Sequence, residues 1–171
     1  MRIMGIDPGI ATIGFGVIDC DGNNMTMVRY GAITTPAKTS LSSRLSQIYS
    51  DMNELIKTFS PDAVAIEELF FNTNLTTGIS VAHGRGVIIL ACEQNGLPMY
   101  EYTPLQIKQA ITGYGRAEKR QMMDMVKRLL DLKETAKPDD ASDALAVAIC
   151  HSRFSNSLLN IQGGADVCST I

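Results

Sequence analysis

Ile3-Met4-Gly5-Ile6-Asp7-Pro8-Gly9 is an apolar run that ends on a carboxylate and turns at once. Ala63-Val64-Ala65-Ile66-Glu67-Glu68 ends the same way, and Asp140-Ala141-Ser142-Asp143-Ala144-Leu145-Ala146 sets two acids three residues apart. Acids flanked by this much apolar sequence demand compensation, because a buried carboxylate without a partner is costly or takes up a proton. A divalent cation is the natural partner. Magnesium and manganese prefer oxygen ligands, and the only histidines, His83 and His151, fall in no metal-ligand spacing. Asp7, Glu67, Asp140 and Asp143 therefore read as one hard-metal site.

Size and composition bound the rest. The 171 residues suit one domain with a substantial core, and 45% hydrophobic with 19% charged residues is ordinary for a globular chain. No apolar run reaches the roughly 18 residues of a membrane span, and the N-terminus enters a strand without a signal segment. The expectation is a cytoplasmic protein with no membrane partner. Cys20, Cys92, Cys150 and Cys168 lie far apart with no CxxC pair, as reduced thiols used for small apolar bulk would. The net charge of −3 hides an uneven distribution. Residues 104–133 hold seven basic groups (Lys108, Arg116, Lys119, Arg120, Lys127, Arg128, Lys133) against three acids. A solvated helix face accounts for such a stretch, and so does contact with phosphate if the acid site lies beside it.

Residues 2–7, 12–19 and 25–33 read as strands, with a hairpin turn at Asp21-Gly22-Asn23-Asn24. Leu41, Leu45, Ile48, Met52, Leu55, Ile56 and Phe59 then share one helical face, and Ser60-Pro61-Asp62 stops that helix. A strand at 62–67, a helix at 75–94 and a short strand at 98–102 follow. Thr103-Pro104-Leu105-Gln106 has the form of a capping box with proline at the first helical position. Gly113-Tyr114-Gly115 separates that helix from one at about 117–132, with Met122, Met125, Val126, Leu129 and Leu130 on its core face. The last helix starts at Pro138-Asp139, and residues 155–171 read as a disordered tail after a domain spanning 1–154.

The order βββαβαβ, then helices, makes this an α/β chain. Its distant acids meet only if the first and fourth strands are neighbours and the last helix crosses their ends, the edge where open α/β sheets bind ligands. Asp140 and Asp143, at i and i+3, project from one side of the helix start, though acids also favour a first helical turn for its dipole. Glu67 and Glu68 compete for one role, since alternation sends one of them away from the site.

Six motifs follow one another along the chain: GIDPG at 5–9, AIEELFF at 65–71, GRGV at 84–87, EY at 101–102, IKQAITGYGRAEK at 107–119 and DDASDALAVAI at 139–149. Together they resemble the RuvC family of bacterial Holliday junction resolvases over about residues 2–153. GIDPG alone also begins actin-like kinases and chaperones, but those need two such domains and an adenosine site.

The resemblance implies a ribonuclease H-like fold, a mixed five-stranded sheet flanked by helices. It implies a homodimer that nicks two strands of a four-way DNA junction symmetrically, in recombination and repair, with two Mg²⁺ per subunit or Mn²⁺ as a substitute. The family's catalytic acids fall on Asp7, Glu67, Asp140 and Asp143, although some relatives carry histidine where this chain has Asp140. Its lysines at the scissile region fall on Lys108 and Lys119, with Arg116 and Arg120 beside them as further DNA contacts. The aromatic that probes the junction centre falls on Phe70, with Phe71 a substitute. The family pairs through its first long helix, which points to Tyr49 and Met52, and relatives work with the RuvA and RuvB branch-migration complex. Two rivals stay open: a ribonuclease H-like nuclease for other substrates, and a non-enzymatic junction binder.

Overall fold

The computed structural model describes the backbone of residues 1–69 and 75–165, and the side chains of 1–69 and 78–155. Strands β1 (Arg2–Asp7), β2 (Thr12–Asp21) and β3 (Asn24–Thr34) form the expected antiparallel meander. Gly22 takes a positive φ of 56° in the β2–β3 turn, a backbone region that costs glycine nothing. Helix α1 (Leu41–Phe59) returns the chain to β4 (Ala63–Glu67), which pairs parallel to β1. Helix α2 (Leu75–Gln94) then leads to β5 (Met99–Tyr102), parallel to β4, so the sheet order is β3-β2-β1-β4-β5. The sheet is mixed and five-stranded, as the motifs implied. Helices α3 (Pro104–Thr112), α4 (Lys119–Leu129) and α5 (Asp139–Ala165) complete the chain.

Alternation along the strands sorts the core into two layers. Met4, Ile6, Val64 and Ile66 point to one face, where Ile48, Met52 and Ile56 of α1 and Ile88, Ala91 and Cys92 of α2 cover them. Ile3, Ala65 and Tyr102 point to the other, against Ile107 and Ile111 of α3, Met122 and Val126 of α4, and Leu145 to Cys150 of α5. By the same alternation Asp7 and Glu67 end their strands on the α5 face. No helix among the described residues is long and apolar enough to cross a membrane.

The α5 face is built for close approach. Gly5 and Gly16 are Cα partners across β1 and β2, and Gly14 is the partner of Asp7. A Cβ on Gly5 would collide with the Ala144 carbonyl and come within 2.7 Å of the Ala148 amide, and one on Gly14 would strike the Asp140 carbonyl. On Gly16 it would meet Leu145 at 2.7 Å. Hydrogen in place of these three side chains lets α5 press its backbone onto the sheet, and its first turn comes to rest beside Asp7.

Local caps follow the sequence closely. Thr103 and Gln106 exchange the two hydrogen bonds of the capping box, with the Gln106 amide 3.2 Å from Thr103 Oγ1 and Gln106 Oε1 2.8 Å from the Thr103 amide. Two helices differ from expectation. Helix α4 is shorter at both ends, because Glu118 takes the N-cap position and Asp131 adopts a positive φ of 49° just beyond Leu130. Helix α5 runs on to Ala165, through part of the stretch expected to be a tail. No proline or glycine interrupts residues 139–162, so nothing in the chain stops propagation.

Because overpacking costs about 1–3 kcal/mol and backbone cannot step aside as a side chain can, Gly14→Ala should lower unfolding free energy by at least about 2 kcal/mol. Urea denaturation followed by circular dichroism measures it, and an unchanged midpoint would contradict the close packing of α5.

Candidate active site at the carboxyl edge of the sheet

Asp7 closes β1, Glu67 closes the neighbouring β4, and Asp140 and Asp143 lie in the first turns of α5. All four are half-buried. Burial pushes the Asp7 carboxyl up to about 8, and the charges of Glu67, Asp143 and Asp140 push it the same way. Glu67 is raised by burial and then by Asp143, while Lys108 and Lys119 oppose the shift. Asp143 is raised by burial against the pull of Lys119. Asp7 thus senses the other three acids and Glu67 senses Asp143, which places residues from three distant segments in one electrostatic site. Glu68 goes elsewhere. It lines a separate cleft of about 300 Å³ with Arg85 and Glu101, on the opposite face of the sheet edge.

Lys119, at the start of α4, sits across this group with Nζ 3.1 Å from Asp143 and 3.5 Å from Asp139. Burial disfavours its charge, but Asp143 and Asp139 outweigh that and raise its pKa. A cleft of about 190 Å³ opens here. Glu67, Pro104, Ile107 and Lys108 line one wall, Asp143, Ala146 and Val147 another, and Lys119 and Met122 close it. Lys108 and Lys119 therefore border the acids as expected. Arg116, just before α4, and Arg120, in its first turn, are exposed and outside that lining. Phe70 and Phe71 lie outside the described residues.

The donor set fits a hard cation. Four carboxylates face two ammoniums, Lys108 and the half-exposed Lys119, so the site is short of positive charge. Among the described residues no three acid, histidine or cysteine side chains already close on a single point. Lys119 explains part of this, because it holds Asp143 towards α4. A hard cation would have to draw the carboxylates inward.

Three features of the site lie beyond the residues expected from sequence. Asp139 belongs to the DDASDALAVAI motif but not to the expected acid set, and it shares Lys119 with Asp143. The alternating Gly14 and Gly16 in β2 are a legible sign of a helix pressed on the strand. The buried hydrogen bond of Tyr102 to His151 has no visible signal in the chain. Of the two residues expected at a dimer interface, Met52 is fully buried inside the protomer, while Tyr49 is 36% exposed and donates to Gln94; Ile79 and Leu90 of α2 are about half exposed. With His83 and Gly86 between them, they form one exposed helical stripe.

Residues 3–151 match the family model described as crossover junction endodeoxyribonuclease RuvC. The crossover junction endodeoxyribonuclease RuvC of Brevibacillus brevis is 55% identical over 154 residues, which cover 90% of this chain and 93% of that protein. The protein of the same name from Desulfitobacterium hafniense is 54% identical over 165 residues, covering 96% and 99%. Thermus thermophilus RuvC in complex with Holliday junction substrate superposes with a TM-score of 0.88 at 34% identity, over 92% of this chain and 96% of that one. The yeast mitochondrial Holliday junction resolvase Ydc2, at 14% identity and a TM-score of 0.71, shares the fold.

Without metal, the site should make stability depend on pH through Asp7. With a folded value near 8 and an ordinary unfolded value, Asp7 is protonated in both states in acid. As pH rises from about 4 to about 8 the unfolded chain releases that proton first, so native stability falls. Asp7→Asn removes this loss. In chelator it should exceed wild type by about 1–3 kcal/mol at pH 8 and match it near pH 4. Thermal melts across that range check the sign, and a gap that widens towards acid would refute it.

Proposed function

The chain belongs to the RuvC family of crossover junction endodeoxyribonucleases, and from that membership and its site we propose that it resolves four-way DNA junctions by paired symmetrical nicks. The observation that carries the reading is the convergence of Asp7, Glu67, Asp140 and Asp143 beside a cleft whose rim holds Lys108 and Lys119. The nuclease domain is residues 1–154. Four-way DNA and a second copy of the chain are its partners, with RuvA and RuvB as the branch-migration complex, and the bacterial cytoplasm is its place of action.

Asp7, Glu67, Asp140 and Asp143 would hold two Mg²⁺ per subunit, or Mn²⁺ in their place, and such ions neutralise a phosphodiester and activate water. The chain's own residues prepare the rest. Asp7, deepest by its electrostatics, reaches full charge at neutral pH only when positive charge enters the site. Lys119 is free to trade Asp143 and Asp139 for a strand phosphate, since its ammonium is half exposed. Lys108, in the wall beside Glu67, anchors the same strand, while Arg116 and Arg120 add outer phosphate contacts. Phe70 is assigned to the junction centre from the motif alone.

Two cuts related by a twofold axis need two sites, hence two copies. The exposed stripe Ile79-His83-Gly86-Leu90 on α2, continuous with the α1–α2 layer, is the face we assign to pairing. Leu90→Arg should sediment as a monomer at micromolar concentration and nick one strand at a time, whereas a dimer of unchanged affinity would move the interface elsewhere.

Cleavage of a labelled mobile junction with Mg²⁺ tests the reading, with linear duplex and an RNA:DNA hybrid as controls. Wild type should release religatable paired products, and Asp7→Asn and Glu67→Gln should lose at least about 100-fold in rate. Lys119→Ala should weaken both cutting and the salt-dependent part of junction affinity. Cutting of the hybrid with the junction ignored would point to a different nuclease, and tight junction binding without cutting would leave a binding module.

A further inference from the structure

Tyr102 is the last residue of β5 and the Cα partner of Glu67, and its carbonyl accepts the Glu68 amide at 2.9 Å. It therefore clamps the peptide that follows Glu67. Thr103, the next residue, caps α3, which carries Lys108. One wall of the cleft, Glu67, Pro104, Ile107 and Lys108, is thus built around Tyr102. The other wall, Asp143, Ala146 and Val147, belongs to α5. β5 is a four-residue edge strand with β4 as its only strand neighbour among the described residues, so pairing alone secures this end of the sheet weakly.

A buried hydrogen bond joins the two walls. The Tyr102 hydroxyl lies 2.7 Å from Nδ1 of His151, one turn beyond Val147 on α5. Tyr102 is 7% and His151 3% exposed. The rings of Tyr100, at 4.3 Å, and Tyr102, at 5.9 Å, enclose the imidazole, and Phe154 covers Tyr102 at 5.4 Å.

The direction of the bond is fixed by its surroundings. Ser155 Oγ donates its single proton to the His151 carbonyl at 2.9 Å. With that proton on the shorter contact, Ser155 Oγ accepts at 3.3 Å from His151 Nε2, which assigns the proton of the neutral ring to Nε2. Nδ1 is left bare and can only accept from Tyr102. Burial keeps the imidazole neutral and the phenol protonated, in agreement with that order.

We propose that Tyr102 and His151 are positioning residues for the nuclease site, a strut that sets the distance between the wall bearing Glu67 and Lys108 and the wall bearing Asp143. Neither residue touches the reacting atoms. The strut rests on the proposed reading of Glu67 as a metal-holding acid. Outer hydrogen bonds that orient metal-holding residues typically govern affinity or rate 10- to 100-fold.

Tyr102→Phe removes the hydroxyl and keeps the ring, and His151→Asn offers its side-chain oxygen near the place of Nδ1. The strut predicts that Tyr102→Phe lowers junction-cleavage kcat about 10-fold and raises the Mg²⁺ concentration for half-maximal rate. Junction affinity without metal should stay within about twofold, since the phosphate-binding lysines remain. His151→Asn should retain most of the rate, and His151→Leu should match Tyr102→Phe. A readout independent of cutting is the long-range ¹H–¹⁵N spectrum of metal-free protein. There His151 should be the Nε2–H tautomer, with an Nδ1 resonance that moves in Tyr102→Phe.

Wild-type kcat and Mg²⁺ dependence in a folded Tyr102→Phe would overturn the strut, as would an Nδ1–H tautomer. A fall in kcat that merely follows loss of melting temperature, equally in His151→Asn, would overturn it as well. Glu67→Gln separates the two proposals. If that variant is inactive while Tyr102→Phe is normal, only the strut fails; if it cuts like wild type, the assignment of Glu67 fails and the strut with it.

Discussion

Everything at the active edge depends on how closely the backbone of α5 can approach β1 and β2. Gly5, Gly14 and Gly16 leave no side chains in the way, and the helix settles where a Cβ on any of them would intrude. That contact places the Asp140–Asp143 turn beside Asp7. Parallel pairing of β1 with β4 then supplies Glu67 from the neighbouring strand end. The cost is electrostatic. Four half-buried acids repel one another, and Asp7 yields first, rising to about 8. The fold supplies the cohesion that holds this repulsion, through buried apolar layers on both sides of the sheet.

Such a site is stable without being satisfied. Lys119 relieves part of the repulsion by bridging Asp139 and Asp143, but as one ammonium against a group of acids it leaves the balance negative. A site short of positive charge, lined by oxygen donors and bordered by Lys108 and Lys119, suits an anionic strand only when cations arrive with it. Lys119 pairs with Asp139 and Asp143 here, and on the proposed reading it would exchange them for a strand phosphate. That proposed exchange would link substrate entry to the release of Asp143 from α4.

Much of this is legible in the chain. Asp7 and Glu67 stand out because carboxylates at the ends of apolar strands have no ordinary packing role, and the turn residues place the strands. The choice between Glu67 and Glu68 stays open until strand alternation is tied to a layer. Ala65 in the α5 core sends Glu67 to the site, and Glu68 joins Arg85 and Glu101 behind it. Met52 belongs to the core rather than to an interface, because an apolar helix stripe cannot announce whether it faces its own sheet or another copy. The Tyr102–His151 bond is invisible in sequence for a different reason. Its partners are 49 residues apart and neither residue type is unusual in a core.

The central claim is that four acids from three segments form one cation site, and counting bound Mn²⁺ by electron paramagnetic resonance tests it most directly. Wild type should bind two ions per chain, and replacing Asp7, Glu67, Asp140 or Asp143 one at a time by its amide should each weaken or remove at least one. Unchanged Mn²⁺ binding in Asp7→Asn or Glu67→Gln would contradict the account, because the strand-end acids would then lie outside the site that the glycine platform assembles.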